Sequence, residues 1–156
     1  MQRIANLLAV QDGKVLLMQK PRRGWYVAPG GKMESGESII EAAIREFQEE
    51  TSATPKDVHL KGVFTIVIKE DGLVVDEWML FTFVSNGIIG TPVKENREGK
   101  LDWHPIESLH HLPMAEGDRD NLLFVCTKEG IQYGTFEYTK DYELLSSTLQ
   151  SSTEQQ

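Results

Sequence analysis

Residues 31 to 53 read GKMESGESIIEAAIREFQEETSA, and the acidic end of that segment could do chemistry. On an α-helix, which turns about 100° per residue, Glu46, Glu49 and Glu50 fall at i, i+3 and i+4 and project from one side. Like charges at that spacing repel, and here they occupy the last turn, where the macrodipole disfavours anions. A sequence written only for helix stability would put cations there. Hard divalent cations bind through oxygen, and Mg²⁺ takes one or two carboxylates, keeps several waters and fills its other positions with phosphate oxygens. Spacing alone leaves two readings open: a Mg²⁺ platform for phosphate chemistry, or a solvated acidic helix face, which most glutamate clusters are.

The elements that must hold these carboxylates can be traced along the chain. Their helix is expected to start near Glu37, with Ser35 or Ser38 as the cap. Ile40, Ile44 and Phe47 recur at i, i+4 and i+7 as a core-facing stripe, with Ala42 and Ala43 near the glutamate side. Upstream, Ile4 to Val10 and Val15 to Gln19 read as strands joined across Asp12-Gly13, a hairpin signal. Trp25 to Ala28 is β-prone and is stopped by Pro29-Gly30-Gly31. Val58 to Lys69 and Leu73 to Val84 form a second hairpin pattern across Glu70-Asp71-Gly72. A strand is expected near Leu101 to His104, a short turn at Ile106 to Leu109, a helix around Arg119 to Lys128 and a strand at Thr135 to Thr139.

Composition bounds the function. A chain of 156 residues buries about 70% of its unfolded surface, enough for one core without staples. The single cysteine, Cys126, excludes an intramolecular disulfide, and its apolar neighbours Leu122 to Val125 suit an inert thiol. The start of the chain lacks a signal-peptide pattern, and no apolar run approaches 18 residues, so a cytoplasmic protein without a membrane segment is expected. A net charge of −8 argues against a nucleic-acid polymer as partner, since backbone binding needs clustered Lys and Arg. A single nucleotide needs only local neutralisation, for which Lys20, Arg22, Arg23 and Lys32 beside the 31–53 segment are the candidates. Nothing in the sequence specifies an oligomeric state. Glycine-rich phosphate loops of the Walker type, nucleophile elbows and kinase motifs are absent.

Gly31, Glu37 and the string Arg45-Glu46-Phe47-Gln48-Glu49-Glu50, at their spacing, resemble the signature of the Nudix hydrolases. Two positions depart from it: Ser52 stands where the pattern has Gly, and Ala53 where it prefers a larger aliphatic residue. Because Gly there supplies a φ > 0 cap, Ser52 should cost helix-end stability rather than a ligand. Phe81-Thr82-Phe83, Gly90-Thr91-Pro92-Val93, Asp102-Trp103 and Gly134-Thr135-Phe136-Glu137-Tyr138 are similar to segments of the MutT-type members that hydrolyse oxidised purine nucleoside triphosphates. The resemblance implies an α/β (α+β) fold, a Nudix-like α/β/α sandwich with a mixed β-sheet, over residues 1–145. The Ser/Gln-rich stretch 146–156 is expected to be a polar flexible tail.

The resemblance also implies roles. Glu46, Glu49 and Glu50 match metal-binding carboxylates, the Gly30 carbonyl matches a backbone ligand, and Glu98 aligns with a further metal-associated glutamate, Glu95 being the alternative. Arg45 matches a residue that orients the carboxylates, while Gly31 and Glu37 match structural positions of the loop. The metal would be Mg²⁺, with Mn²⁺ as a substitute. The reaction implied is cleavage of a nucleoside triphosphate, with an oxidised purine such as 8-oxo-dGTP first, to monophosphate and pyrophosphate. Another nucleoside diphosphate-linked substrate, or a non-catalytic nucleotide-binding domain, are the alternatives. For the base, Asp118, with Glu116 near it, stands where the mammalian member of these MutT-type enzymes has an acidic pair, but the tryptophan before that pair is missing, and Val27 replaces an asparagine. Asn6, Trp25 and Tyr26 are further base-site candidates; Trp78 and Trp103 read as core or sheet-face residues, and His110-His111 as surface.

Overall fold

The computed structural model describes residues 1–152. Two Asp-Gly turns set the register of its largest sheet. Asp12 and Gly13 have φ of 53° and 74°, and Asp71 and Gly72 of 52° and 78°. Two successive left-handed residues make the turn whose twist matches paired strands. The first joins β1 (Gln2–Gln11) to β2 (Lys14–Gln19), and the second joins β6 (Val58–Glu70) to β7 (Leu73–Asn86).

Among the described residues this sheet has ten strands. Its path runs β12 (Leu144–Ser151), β11 (Gln132–Tyr138), β6, β7, β1, β2, β10 (Gly99–Pro105) and β9 (Glu95–Asn96). β1 lies parallel to β7 and β11 parallel to β6, while the other pairs are antiparallel. Off the path, β3 (Tyr26–Val27) pairs with β2, and β4 (Gly30–Lys32) pairs with β1. Two short strands, β5 (Thr54–Pro55) and β8 (Ile88–Ile89), pair separately.

Alternation along β1 assigns the faces. Ala5, Leu7 and Ala9 pack with Ala42, Ala43 and Phe47 of α1 (Ile39–Thr51), whereas Leu8 packs with Leu122 and Val125 of α2 (Glu116–Thr127). Side chains alternate across a strand, so one strand feeds two cores. A third cluster, Phe64, Ile66, Phe136 and Tyr138 among others, fills the end of the sheet near β11. The result is the mixed α/β sandwich that the sequence implies.

Three expectations need correction. Ser38 is the cap: its Oγ accepts from the Glu41 N–H and its own N–H donates to Glu41 Oε1, so the helix opens at Ile39 rather than near Glu37. The buried face of α1 is Ala42, Ala43, Phe47, Glu50 and Thr51, with Ile40 38% exposed. Two alanines let the helix axis approach the sheet closely, and that rotation turns Ile40 outward and Glu50 inward. Finally, the stretch from Ser146 does not fray as far as Ser151. It forms β12, every residue from Ser146 to Ser151 being paired with β11; residues 153–156 of the expected tail lie outside the described residues.

Candidate active site

Glycine is required where α1 meets the sheet. A Cβ on Gly30 would lie 2.3 Å from the Ala5 carbonyl oxygen, and one on Gly31 would lie 2.5 Å from Glu46 Cδ. Such approaches are closer than atoms allow, so at Gly30, against backbone, only glycine fits, whereas at Gly31 a side chain would displace the Glu46 carboxylate. β4 therefore lies tight against β1, pairing Gly30 with Asn6 and Gly31 with Ala5, and Glu46 folds down onto Gly31.

Arg45 organises the carboxylates. Its Nε and Nη2 donate to the two oxygens of Glu37 at 2.6 and 3.0 Å, and Nη2 also donates to the Lys32 carbonyl at 3.1 Å. Nη1 donates to Glu46 at 3.0 Å and to Glu49 at 3.3 Å. A planar fork with five N–H groups can hold several carboxylates at fixed angles, which an ammonium cannot. The hydrogen bonds from Arg45, with one from the Glu34 N–H, hold Glu37 below the usual carboxylate range, and Arg45 itself is raised.

The three glutamates of the helix do not crowd one patch as their spacing suggests. Glu49 is exposed, Glu46 lies under Arg45 and Glu50 is buried at 8% exposure. Among the described residues no group of three His, Cys, Asp or Glu side chains stands ready to hold a metal ion unaided. Burial, then the hydrogen bond and repulsion from Glu98, then repulsion from Glu46, push the Glu50 carboxyl well above the carboxylate range, against one stabilising bond from the Gly30 N–H. Glu98 is held down by the hydrogen bond from Glu50, and by Lys20 and Arg97. Glu50 Oε2 is buried without a partner. A buried carboxyl with a free acceptor oxygen, facing a second carboxyl at Glu98 and the Gly30 backbone, is the donor set of a hard divalent cation, so these residues fit one.

Asn96, which sequence reasoning missed, anchors Glu98. Its Nδ2 donates to the Glu50 carbonyl at 2.8 Å, and its Oδ1 accepts from the N–H groups of Glu98 and Gly99 at 2.7 and 3.1 Å. That ties the β9–β10 turn to the helix end and brings Glu98, not Glu95, to Glu50. Glu95 instead lines a separate groove with Arg97 and Lys100.

Two hollows adjoin this acidic ridge. The inner one, about 250 Å³, runs from Glu50 and Gly30 past Asn6 to Asp118, with Trp78 and Tyr138 in its wall. The outer one, about 690 Å³, is lined by Glu98, Lys20, Arg22, Arg23 and Lys140 among others. Lys20, Val27, Ala115, Asp118 and Tyr142 border both. Burial pushes Asp118 up to about 6, and Asn6 Oδ1 is buried without a partner. Lys20 Nζ lies 3.9 Å from Glu98.

The structure thus brings together Asn6, Gly30, Glu50, Glu98, Lys20 and Asp118, and seats Glu46 on Gly31. Lys32 does not join them: its side chain is exposed and borders neither hollow, and only its carbonyl serves, as an acceptor for Arg45. Trp78 borders the inner hollow as well as packing on the core, so its core reading was incomplete. Tyr26 packs edge-on against His104, away from both hollows. Trp103 packs on the core and His110 and His111 are exposed, as read from the sequence. Cys126 is half-buried and its thiol is pushed up to about 11 by burial. Tyr142 and Lys140 were missed, since a turn distant in sequence carries no periodic signal.

Comparison with known proteins agrees with this fold. The NUDIX domain model matches residues 1–124. The uncharacterised Nudix hydrolase YvcI of Bacillus subtilis (strain 168) is 52% identical over 149 residues, 96% of this chain and 94% of the relative. The crystal structure of a MutT protein from Bacillus halodurans matches with a TM-score of 0.93 at 50% identity, covering 96% of this chain and 97% of that one. An oxidised purine nucleoside triphosphate hydrolase of Danio rerio is 30% identical over 121 residues, 76% of this chain and 73% of the relative. A glycine-paired strand carrying a carboxylate helix, in a chain half identical to Nudix proteins along nearly its whole length, belongs to the Nudix hydrolase family, whose members act on phosphoric anhydride bonds.

Proposed function

We propose that this chain is a Mg²⁺-dependent pyrophosphohydrolase that cleaves a nucleoside triphosphate to the monophosphate and pyrophosphate, with an oxidised purine such as 8-oxo-dGTP first among substrates. The observation that carries the reading is continuity. One hollow runs from the Glu50 and Gly30 ridge to a recess edged by Asn6, Asp118 and Trp78, so a phosphate chain at the carboxylates would leave its base in that recess. Asn6 offers an amide with an unpaired oxygen, and Asp118 a carboxyl that changes protonation near pH 6, as polar partners for a base edge.

Glu46, Glu49, Glu50, Glu98 and the Gly30 carbonyl are the residues that would hold Mg²⁺ or Mn²⁺. When bound, the ion neutralises phosphate charge and acidifies water. The chain's own residues supply the rest. Lys20, with Arg22 at the mouth of the outer hollow, draws the polyphosphate into an otherwise acidic protein. Arg45 fixes Glu46 at Oε1, and Glu46 takes the proton of the attacking water at its second oxygen. The water oxygen bonds to the α-phosphorus while the bond from that phosphorus to its bridging oxygen breaks, and pyrophosphate leaves.

A second reading has one observation in its favour: the outer hollow, about 690 Å³ and lined by Lys20, Arg22, Arg23 and Lys140 among others, leaves room for a second group beyond the phosphates, which suits another nucleoside diphosphate-linked compound. The deciding experiment incubates the protein and Mg²⁺ with canonical and oxidised nucleoside triphosphates, ADP-ribose and dinucleoside polyphosphates, and separates the products. Monophosphate plus pyrophosphate from a triphosphate, lost in Glu49→Gln, upholds the first reading. Turnover confined to the other compounds supports the second, and nucleotide binding without any turnover replaces both with a regulatory domain.

A further inference from the structure

The walls of the two hollows meet at a cluster that the reaction does not use. The Arg23 guanidinium carbon lies 5.0 Å from the Trp25 ring centre and 5.7 Å from that of Tyr142. Its Nη1 donates to the Asp141 carbonyl at 2.9 Å, and Nη2 lies 4.0 Å from the Asp141 carboxylate. Trp25 and Tyr142 meet edge to face at 6.4 Å, and Tyr142 meets Tyr138 likewise at 5.8 Å. Arg23 and Trp25 belong to the connection after β2, Asp141 and Tyr142 to the β11–β12 turn. Tertiary contacts alone join them across 118 residues of sequence.

We propose that Arg23 is a positioning residue: it latches the β11–β12 turn to the β2–β3 connection, and so fixes Tyr142 as the wall that sets which nucleotide base the recess admits. The inference rests on the nucleotide reading given above. Three observations carry it. Tyr142 is one of the five residues that border both hollows, so its placement bears on each. Arg23 donates to the Asp141 carbonyl and lies within cation–π range of Trp25 and Tyr142, so its guanidinium ties both sides of the cluster together. Arg23 and Tyr142 also sit at φ of 69° and 62°. Bulky residues rarely adopt that region, and surrounding contacts must hold them there. The NUDIX match ends at residue 124, so Tyr138 and Tyr142 reach the recess from a hairpin outside it.

A phosphate ligand and a latch respond differently to Arg23→Lys, which keeps the charge but loses the planar fork. Arg23→Lys and Tyr142→Ala are each expected to raise KM for the preferred triphosphate roughly 3- to 10-fold, the range set by a cation–π contact, with a smaller fall in kcat. Because latch and wall act as one unit, the double variant should be no worse than Tyr142→Ala alone. Fluorescence titration with dGMP, followed through the tryptophans, reads the same loss without turnover. Unchanged KM and dGMP affinity in Arg23→Lys, or losses that multiply in the double variant, overturn the latch. A wild-type protein that hydrolyses no triphosphate ends the nucleotide-hydrolase reading instead, and the latch then stands or falls on the dGMP titration.

Discussion

Arg45 grips Glu37 through two hydrogen bonds, Nε to Oε2 at 2.6 Å and Nη2 to Oε1 at 3.0 Å. Glu37 precedes the helix and Arg45 lies two turns into it, so the pair clamps the loop to the α1 barrel while Nη1 remains free to hold Glu46 and Glu49. A lysine cannot make the fork. Arg45→Lys is expected to lower cation affinity about 10- to 100-fold, as removal of an orienting partner does, with the fold retained. Mg²⁺ titration by calorimetry, beside circular dichroism, checks both halves of the statement.

The two glycines of β4 should fail in different ways. In Gly30→Ala the new methyl meets the backbone of Ala5 and Asn6, which can yield only by parting β4 from β1, and overpacking of this kind costs about 1–3 kcal/mol. In Gly31→Ala it meets only the Glu46 carboxylate, a side chain that can swing away. We expect a lowered Tm for the first, and for the second a near-native Tm with activity reduced by an order of magnitude or more.

Asn96→Ala removes three hydrogen bonds, one to the Glu50 carbonyl and two inside the β9–β10 turn from the N–H groups of Glu98 and Gly99. The expected cost is roughly 1–2 kcal/mol of stability. Activity should fall further than that loss explains, because Glu98 is freed from Glu50. Denaturant unfolding and steady-state kinetics on the same sample separate the two effects.

Divalent cations should act oppositely to pH at Glu50. Its folded value is raised, so its contribution to stability is present below the ordinary value of 4.5 and lost as pH rises through the raised value. Without divalent ions the protein is expected to lose Tm as pH increases across that window, Glu50→Gln to lose less, and Mg²⁺ to restore the wild type alone. Thermal melts in EDTA and in Mg²⁺ across the window measure this; identical slopes for wild type and Glu50→Gln would refute it.

Asp118 gives a narrower window. Burial raises it from 3.8 to about 6, so its favourable contribution is complete below 3.8 and disappears as pH climbs through about 6. A shift of that size corresponds to about 3 kcal/mol, and partial solvent access reduces it to roughly 1–2 kcal/mol. Asp118→Asn should therefore gain stability relative to wild type as pH rises from about 4 to about 7, a difference that paired melts detect.

Much of this was legible in the residues. Asp12-Gly13 and Asp71-Gly72 fixed both hairpins because their left-handed turns are local. Ser52 at φ 65°, its N–H donating to the Gln48 carbonyl, ends α1 as the missing glycine led one to expect. The helix face was misjudged because periodicity weighs hydrophobicity and not size: Ala42 and Ala43, not Ile40, face the sheet, since close approach favours small side chains. β12 was missed because Ser and Gln carry no strand signal, and its register comes from β11 beside it.

By itself, then, the sequence determined the carboxylate helix, its Arg45 and the glycines on which it rests, and narrowed its cap to Ser35 or Ser38, because all of these lie within 23 residues and follow from local spacing and backbone freedom. Only the tertiary structure decided which glutamate turns inward, that Glu98 rather than Glu95 meets it, and that Asn6, Asp118, Arg23 and Tyr142 surround the same hollows. Those relationships join strands and turns far apart in the chain, and they are set by how closely one helix and one added hairpin pack on the sheet, which no local pattern encodes.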